Sequence, residues 1–149
     1  MGSELMDHQN TKLRIIVICT GNSCRSQMAE GWFKLFAPES TQVVSAGSNP
    51  TGHVHPIAIE VMGEAGVDIR RFESKPLTQF LKREFDYVIT VCEQAAETCP
   101  VFPGPGERIH WPIEDPAENS GSEDEVKGAF REARDLIRKK IENFLSVVL

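Results

Sequence analysis

Long apolar runs are missing from the chain: none of its 149 residues belongs to a stretch close to the ~20 residues that cross a bilayer. Residues 1–12 are polar and lack the apolar centre of a secretory signal. We therefore expect a flexible polar leader at 1–12, followed by a single domain at 13–149. These features predict a cytoplasmic protein that does not bind membranes.

Basic residues are also scarce. The chain has 16 lysines and arginines against 22 aspartates and glutamates, which gives a net charge of −6. A negative surface of this kind argues against nucleic-acid binding. It also weakly repels small anions, so any anion site must be strongly positive locally.

Cysteine is sparse, with four residues that form two pairs in the sequence, Cys19 with Cys24 and Cys92 with Cys99. Structural disulfides are rare in cytoplasmic proteins. Structural zinc sites use short chelating pairs such as Cys-x2-Cys, whereas four and six residues intervene here. We therefore expect no structural metal, which leaves redox chemistry as the use of these thiols.

Apolar runs alternate with amphipathic segments along the chain. The runs predict strands at 13–18, 41–46, 85–91 and 108–111, of which the first is expected to be buried on both faces and the last is the weakest. Helical periodicity predicts helices at 26–36, 56–65, 77–83 and 123–147. In the first helix, we expect an apolar face of Met28, Trp32, Leu35 and Phe36. The alternation predicts an α/β fold, a four-stranded parallel sheet with helices on both faces.

The most informative segment is Cys-Thr-Gly-Asn-Ser-Cys-Arg-Ser, directly after the first predicted strand. Backbone N–H groups in such a turn converge on one point, and the dipole of the next helix adds positive charge. Arg25 can bind two oxygens of a tetrahedral anion, and Asn22 tolerates left-handed backbone. A lone cysteine here would be a packing residue. In this context, we expect Cys19 to be a nucleophile and Ser26 to cap the helix.

The residues after Cys19 form the predicted oxyanion-binding loop. Its members are Thr20, Gly21, Asn22, Ser23, Cys24, Arg25 and Ser26.

Two further segments contribute to the predicted site, because ligands bind beyond the carboxyl ends of parallel strands. Cys19 and Cys92 each end a predicted strand, so we expect them to be neighbours. Asp115 is either a turn residue or an acid that protonates a departing oxygen, and beside the loop we favour the acid. If 92–98 is helical, positions 92 and 99 are about 10.5 Å apart along the axis. A disulfide needs Cα atoms within about 7 Å, so a Cys92–Cys99 bond requires unwinding.

We expect the histidines at 53 and 55 and the two tryptophans to have structural roles. His53 and His55 could chelate a metal, but no further ligand is near in sequence, and we expect a polar or capping role. We assign Trp32 and Trp111 to packing in the core or at the sheet edge.

The octet at 19–26, the Cys92-x6-Cys99 pair and Asp115-Pro116 together resemble the thioredoxin-coupled arsenate reductases. That family is similar in fold to the low-molecular-weight protein tyrosine phosphatases. The octet occurs in both families, whereas the cysteine pair is specific to the reductases. The phosphatases typically carry tyrosine just after the Asp-Pro, where this chain has alanine and glutamate. The resemblance covers residues 13–149 and implies a monomer with a phosphatase-like three-layer sandwich.

The resemblance also implies a mechanism. Arsenate, or a similar oxyanion such as phosphate, binds to the loop amides and Arg25. Cys19 attacks arsenic while Asp115 protonates the leaving hydroxide. Cys92 then attacks the Cys19 sulfur, arsenite leaves, and Cys99 converts the Cys19–Cys92 disulfide into a Cys92–Cys99 disulfide. Thioredoxin reduces that bond, no cofactor is bound, and Cys24 is not required.

Some reductases of this family bind potassium beside the loop, at positions that match Asn22 and Glu30. Ser74 and Lys75 stand where an acidic partner would be expected, and a lysine there replaces the ion by a fixed charge. We therefore expect no potassium dependence.

Two other functions stay open. One is a phosphatase for phosphotyrosine or small phosphate esters, in which Cys92 and Cys99 guard against oxidation. The other is a protein that senses an oxyanion or arsenite through its thiols.

Overall fold

The computed structural model describes residues 13–149, so the leader predicted at 1–12 lies outside the described residues. Four strands form one parallel sheet in the order β2-β1-β3-β4: β1 (Arg14–Cys19), β2 (Gln42–Gly47), β3 (Tyr87–Thr90) and β4 (Glu107–His110). Residues 15–18 of β1 are fully buried. Because successive strand residues point to opposite faces, both faces of β1 are covered. The predicted four-stranded parallel α/β fold is confirmed.

Four helices are present in residues 13–149: α1 (Arg25–Phe36), α2 (Pro56–Glu64), α3 (Glu93–Thr98) and α4 (Glu123–Val148). The helix predicted at 77–83 is shorter than expected, because it is a 3-10 turn over Leu77–Phe80. Leu77 and Phe80 are its buried residues, whereas Lys82 and Arg83 are exposed. A second 3-10 turn spans Pro116–Glu118.

Helix α1 corrects two predictions. Its N-cap is Cys24, without a side-chain capping bond, so the prediction that Ser26 caps the helix was wrong. The Ser26 hydroxyl turns instead to the Cys19 sulfur, 2.8 Å away. Leu35, predicted on the apolar face, is 55% exposed, whereas Phe33 is fully buried. Because α1 contacts β1, β2 and α4, its buried face is broader than the predicted face and is rotated away from Leu35 toward Phe33.

Helix α4 packs on α1 and α2 and covers part of the core. It begins with a capping box between Ser122 and Glu125, which satisfies backbone donors of its first turn. Its buried stripe consists of Phe130, Ala133, Ile137, Ile141 and Leu145. None of the helices within 13–149 has both the length and the apolar character needed to cross a bilayer.

Candidate active site

The loop between β1 and α1 lies at the carboxyl end of an inner strand of the sheet. Asn22 adopts left-handed backbone with φ of 46°, a conformation that asparagine tolerates better than most residues. Gly47, at the end of β2, lies against this loop. A Cβ atom at Gly47 would be 2.4 Å from the Thr20 carbonyl oxygen, so the close approach of the two segments requires glycine.

Cys19 lies at the floor of the loop and is 3% exposed. Its sulfur is 2.8 Å from the Ser26 hydroxyl and accepts a hydrogen bond from the Asn22 backbone N–H at 3.2 Å. Both contacts come from groups of the loop and of the first turn of α1, so they fix the position of the sulfur. The loop therefore both buries and orients the thiol that the sequence singles out as the nucleophile.

A buried network of polar side chains holds this loop in place. The Asn22 amide donates to the hydroxyls of Ser26 at 2.8 Å and Ser45 at 2.9 Å. Its oxygen accepts from the Lys75 backbone N–H at 2.8 Å and from the Gln27 amide at 3.0 Å. Ser45 and Gln27 were not singled out from the sequence. Ser45 lies on a different strand, and the contacts of Gln27 with Asn22 and with the Glu73 carbonyl follow from the path of the folded loop and have no sequence motif.

Glu30 extends the network toward two lysines. Its carboxylate accepts a hydrogen bond from Ser45 at 2.6 Å and lies 2.7 Å from the Lys34 ammonium and 3.6 Å from that of Lys75. The two ammonium groups balance the charge of this buried carboxylate. Across residues 13–149, no cluster of three or more His, Cys, Asp or Glu side chains could hold a metal ion.

Beside the loop lies a cleft of about 970 Å³. Arg25 and Asp115 both line it, with 3.6 Å between the Arg25 Nη2 and an oxygen of the Asp115 carboxylate. The Arg25 Nη1 donates to the Ile113 carbonyl at 2.8 Å, which fixes the guanidinium beside the loop. The other Asp115 oxygen accepts from the Ala117 N–H at 3.0 Å. Asp115 is thus a turn residue and a wall of the cleft at the same time.

Cys92 lines the same cleft and is the N-cap of α3. Its sulfur accepts from the Ala95 N–H at 3.4 Å and lies 3.3 Å from the Thr20 hydroxyl. Thr20 directly follows Cys19, so the ends of β1 and β3 bring Cys92 beside the nucleophile's loop.

The other two cysteines differ from this pair in their surroundings. Cys99 is the C-cap of α3, is half-buried, and does not line the cleft, so the structure separates it from Cys92 by the whole of α3. Burial raises the pKa of Cys24 to about 12, with smaller contributions in the same direction from Asp115 and Cys19. All four cysteines are free thiols.

The structure also locates the histidines and tryptophans. His55 is the N-cap of α2, and its Nδ1 accepts from the Ile57 N–H at 3.1 Å, which confirms the capping role. Burial lowers the pKa of His55. Trp32 and Trp111 are 1% and 8% exposed, so their assignment to packing is confirmed.

Comparisons with known proteins agree with this geometry. The family model of the low molecular weight phosphotyrosine protein phosphatases matches residues 14–148. A curated arsenate reductase of Halalkalibacterium halodurans is 45% identical over 130 residues, which cover 87% of this chain and 93% of that protein. A solved structure of an arsenate reductase in the phosphate binding state has a TM-score of 0.74 at 30% identity and covers 92% of this chain and 99% of its own.

A thioredoxin-dependent arsenate reductase of Corynebacterium glutamicum is also similar in structure. Its TM-score is 0.67 at 30% identity, over 88% of this chain and 61% of the other. Residues 14–148, which the family model matches, contain the loop that follows Cys19, both Cys92 and Cys99, and Asp115. By fold and by sequence, the chain belongs to the low molecular weight phosphotyrosine protein phosphatase family, among its arsenate reductase members.

Proposed function

We propose that the protein reduces arsenate to arsenite through Cys19, Cys92 and Cys99, with thioredoxin as the electron donor. The observation that carries this proposal is the position of Cys92. Its thiol lines the cleft 3.3 Å from the Thr20 hydroxyl, and a second free thiol, Cys99, ends the same short helix. Hydrolysis of a phosphate ester needs a nucleophile, an anion site and an acid, and none of its chemical steps involves this pair of thiols.

The first step is a displacement at arsenic. The N–H groups of the loop and the guanidinium of Arg25 hold the arsenate oxygens, and the Cys19 sulfur forms a bond to arsenic. Asp115, 3.6 Å from Arg25, protonates the departing oxygen, which leaves as water. Arsenic remains in its pentavalent state, bound to sulfur.

The second step transfers the electrons. The Cys92 thiolate attacks the Cys19 sulfur, so that an S–S bond forms while the S–As bond breaks. The electron pair of the S–As bond stays on arsenic, which leaves as trivalent arsenite. The two sulfurs are together oxidised by two electrons, and the position of Cys92 beside Thr20 supports this step.

The third step moves the disulfide away from the anion site. The Cys99 thiolate attacks Cys92, Cys19 leaves as a thiolate, and a Cys92–Cys99 disulfide results. Helix α3 separates the two sulfurs in the reduced protein and has to unwind for this step. A thioredoxin dithiol then reduces the new disulfide by the same exchange chemistry and restores the starting thiols.

The test is arsenate-dependent oxidation of NADPH in the presence of thioredoxin and thioredoxin reductase, compared with a glutaredoxin system. We expect turnover with thioredoxin in the wild-type protein. The variant Cys99→Ser should produce one arsenite per protein and then stop. Without the Cys99 thiol, its Cys19–Cys92 disulfide is not exchanged for the Cys92–Cys99 disulfide that thioredoxin reduces. Cys24→Ser is the comparison variant, since it alters the anion loop but not the relay. Its turnover should continue past one arsenite per protein, even at a lower rate. Sustained turnover of Cys99→Ser would refute the relay.

Hydrolysis of phosphate esters is a second candidate, supported by the match to the phosphatase family model and by a cleft far larger than one oxyanion. It predicts that Cys92→Ser and Cys99→Ser keep full activity on an aryl phosphate while wild-type protein shows no arsenate turnover. Weak phosphatase activity alone does not distinguish the two functions, because both use the same loop.

We also propose that catalysis is independent of potassium. The ammonium groups of Lys34 and Lys75 lie beside the Glu30 carboxylate and supply the positive charge that an ion would bring. Turnover in potassium chloride and in sodium chloride of equal ionic strength should then be the same. A several-fold activation by potassium would contradict this proposal.

A further inference from the structure

Strand β4 contacts the end of α3 through Arg108. The Arg108 Nη2 donates to the Cys99 carbonyl at 3.3 Å and to the Pro100 carbonyl at 2.9 Å. Carbonyl groups at a helix C-terminus lack partners within the helix, and a positive charge there is also favourable for the helix dipole. Arg108 thus attaches the Cys99 end of α3 to the edge strand of the sheet.

The Cys99 thiol is in an environment with two opposing influences. Partial burial raises the pKa of Cys99, and the positive charge of Arg108 counteracts this rise. The neighbouring carboxylates of Glu97 on α3 and Glu107 on β4 are exposed to solvent. At the opposite end of α3, Glu93 pairs with His110 at 3.4 Å. Arg108 is therefore the cation in place to assist this thiol.

We propose that Arg108 is a positioning residue for the second disulfide exchange, because it anchors the Cys99 backbone and places a positive charge beside the attacking sulfur. The inference rests on the proposed three-cysteine relay. In this exchange the Cys19–Cys92 bond breaks and the Cys92–Cys99 bond forms. Cys19 takes the electron pair as a thiolate, and the proton of Cys99 passes to solvent, so that no net oxidation occurs.

The anchor is compatible with the unwinding that the exchange requires. The two bonds of Arg108 go to carbonyls at positions 99 and 100, whereas the helical residues that have to rearrange are 93–98. Unwinding of α3 does not by itself break these two bonds. Cys99 can therefore keep its cation while the path to Cys92 opens.

The direct test measures the reactivity of Cys99 alone. In protein carrying Cys19→Ser, Cys24→Ser and Cys92→Ser, iodoacetamide labels only Cys99, and the labelling rate is recorded against pH. We expect Arg108→Gln to shift the midpoint to higher pH and to slow labelling at pH 7 about three- to tenfold. Arg108→Lys, which keeps the charge, should restore most of the rate. Arg70→Gln, which removes an exposed arginine paired with Asp68, is the matched control and should change nothing.

A second measurement follows the exchange in protein with all four cysteines. After one round with arsenate, rapid acid quenching and mapping of disulfides give the rate at which Cys92–Cys99 replaces Cys19–Cys92. In Arg108→Gln, this exchange should be slower at pH 7, and its rate should recover at high pH. The rate of arsenite release should stay unchanged. An unaltered pH profile of Cys99 labelling in Arg108→Gln would overturn the proposal. If the wild-type protein reduces no arsenate, the relay fails, and the labelling experiment still decides the effect of Arg108 on Cys99.

Discussion

The two cysteine-bearing segments of this protein are held in opposite ways. The loop Cys19–Ser26 connects an inner strand to a twelve-residue helix, and its Asn22 side chain is fully buried in a hydrogen-bonded network. The segment Cys92–Cys99 is a six-residue helix that leads into irregular chain, where Val101 is 86% exposed. Helices shorter than about 12 residues are marginal without tertiary support.

This difference matches the two tasks of the proposed mechanism. An anion site works best when its donors are oriented before the anion arrives, because no reorganisation is then needed during the reaction. A disulfide that forms across a helix needs that helix to open at low free energy. The protein thus combines a rigid loop and a rearrangeable segment at the carboxyl ends of two adjacent strands.

The largest expected effect comes from disturbing the rigid loop through Gly47→Ala. The new Cβ would be 2.4 Å from the Thr20 carbonyl oxygen, so the loop has to shift. Overpacking of this kind costs about 1–3 kcal/mol in the free energy of unfolding. We also expect weaker binding of inorganic phosphate in isothermal titration calorimetry.

The matched control is Gly63→Ala in α2, where a Cβ meets no atom within 4 Å. Urea unfolding should show that this variant is as stable as the wild type or more stable, because alanine favours the helix. If Gly47→Ala behaved like Gly63→Ala in both measurements, the loop would be less rigid than its contacts indicate.

An effect of intermediate size should show that α3 contributes less than α1 to the stability of the protein. Ala96→Gly in α3 and Ala29→Gly in α1 both weaken a helix, by about 1 kcal/mol from propensity alone. Ala29 is fully buried, so its substitution also removes packing and should reduce the free energy of unfolding further. Ala96→Gly should instead accelerate hydrogen exchange in α3 and the formation of the Cys92–Cys99 disulfide, with a smaller change in global stability. If urea unfolding showed the same loss in the free energy of unfolding for Ala96→Gly and Ala29→Gly, the contrast between the two segments would be contradicted.

The effect expected to be smallest near neutral pH concerns Cys24, the buried thiol of the loop. Its pKa is about 9 when unperturbed and about 12 in the folded protein, so the folded state holds the proton more tightly. The associated stability is fully present below pH 9 and is lost as the pH rises toward 12, because the unfolded chain releases this proton first. Cys24→Ala should flatten the decline of stability above pH 9, measured by urea unfolding.

The same property predicts a difference in labelling between the two segments. At pH 8 iodoacetamide should leave Cys24 unmodified in the folded protein while Cys99, which is half-buried, reacts. Labelling of Cys24 at the rate of Cys99 would show that the loop opens as readily as α3.

Local patterns made much of the fold predictable. The apolar run of β1 belongs to a strand buried on both faces, and the helix predicted at 123–147 coincides with α4 (Glu123–Val148) to within one residue. The predictions for α1 were less accurate. Periodicity placed Leu35 inside, but the direction of a helix face depends on the elements that surround it, and α1 contacts two strands and α4.

The candidate site, like the fold, could be predicted from the sequence only in part. The order of residues in the chain alone determined the loop chemistry, the two strand-end cysteines and the aspartate, because those signals are local or follow from parallel-sheet topology. Only the tertiary structure decided the support of Asn22 by Ser45 and Gln27, the need for glycine at position 47, and the contact of Arg108 with Cys99. These features depend on hydrogen-bond distances and close contacts between separate secondary-structure elements, which arise only when the sheet, its loops and its helices pack together.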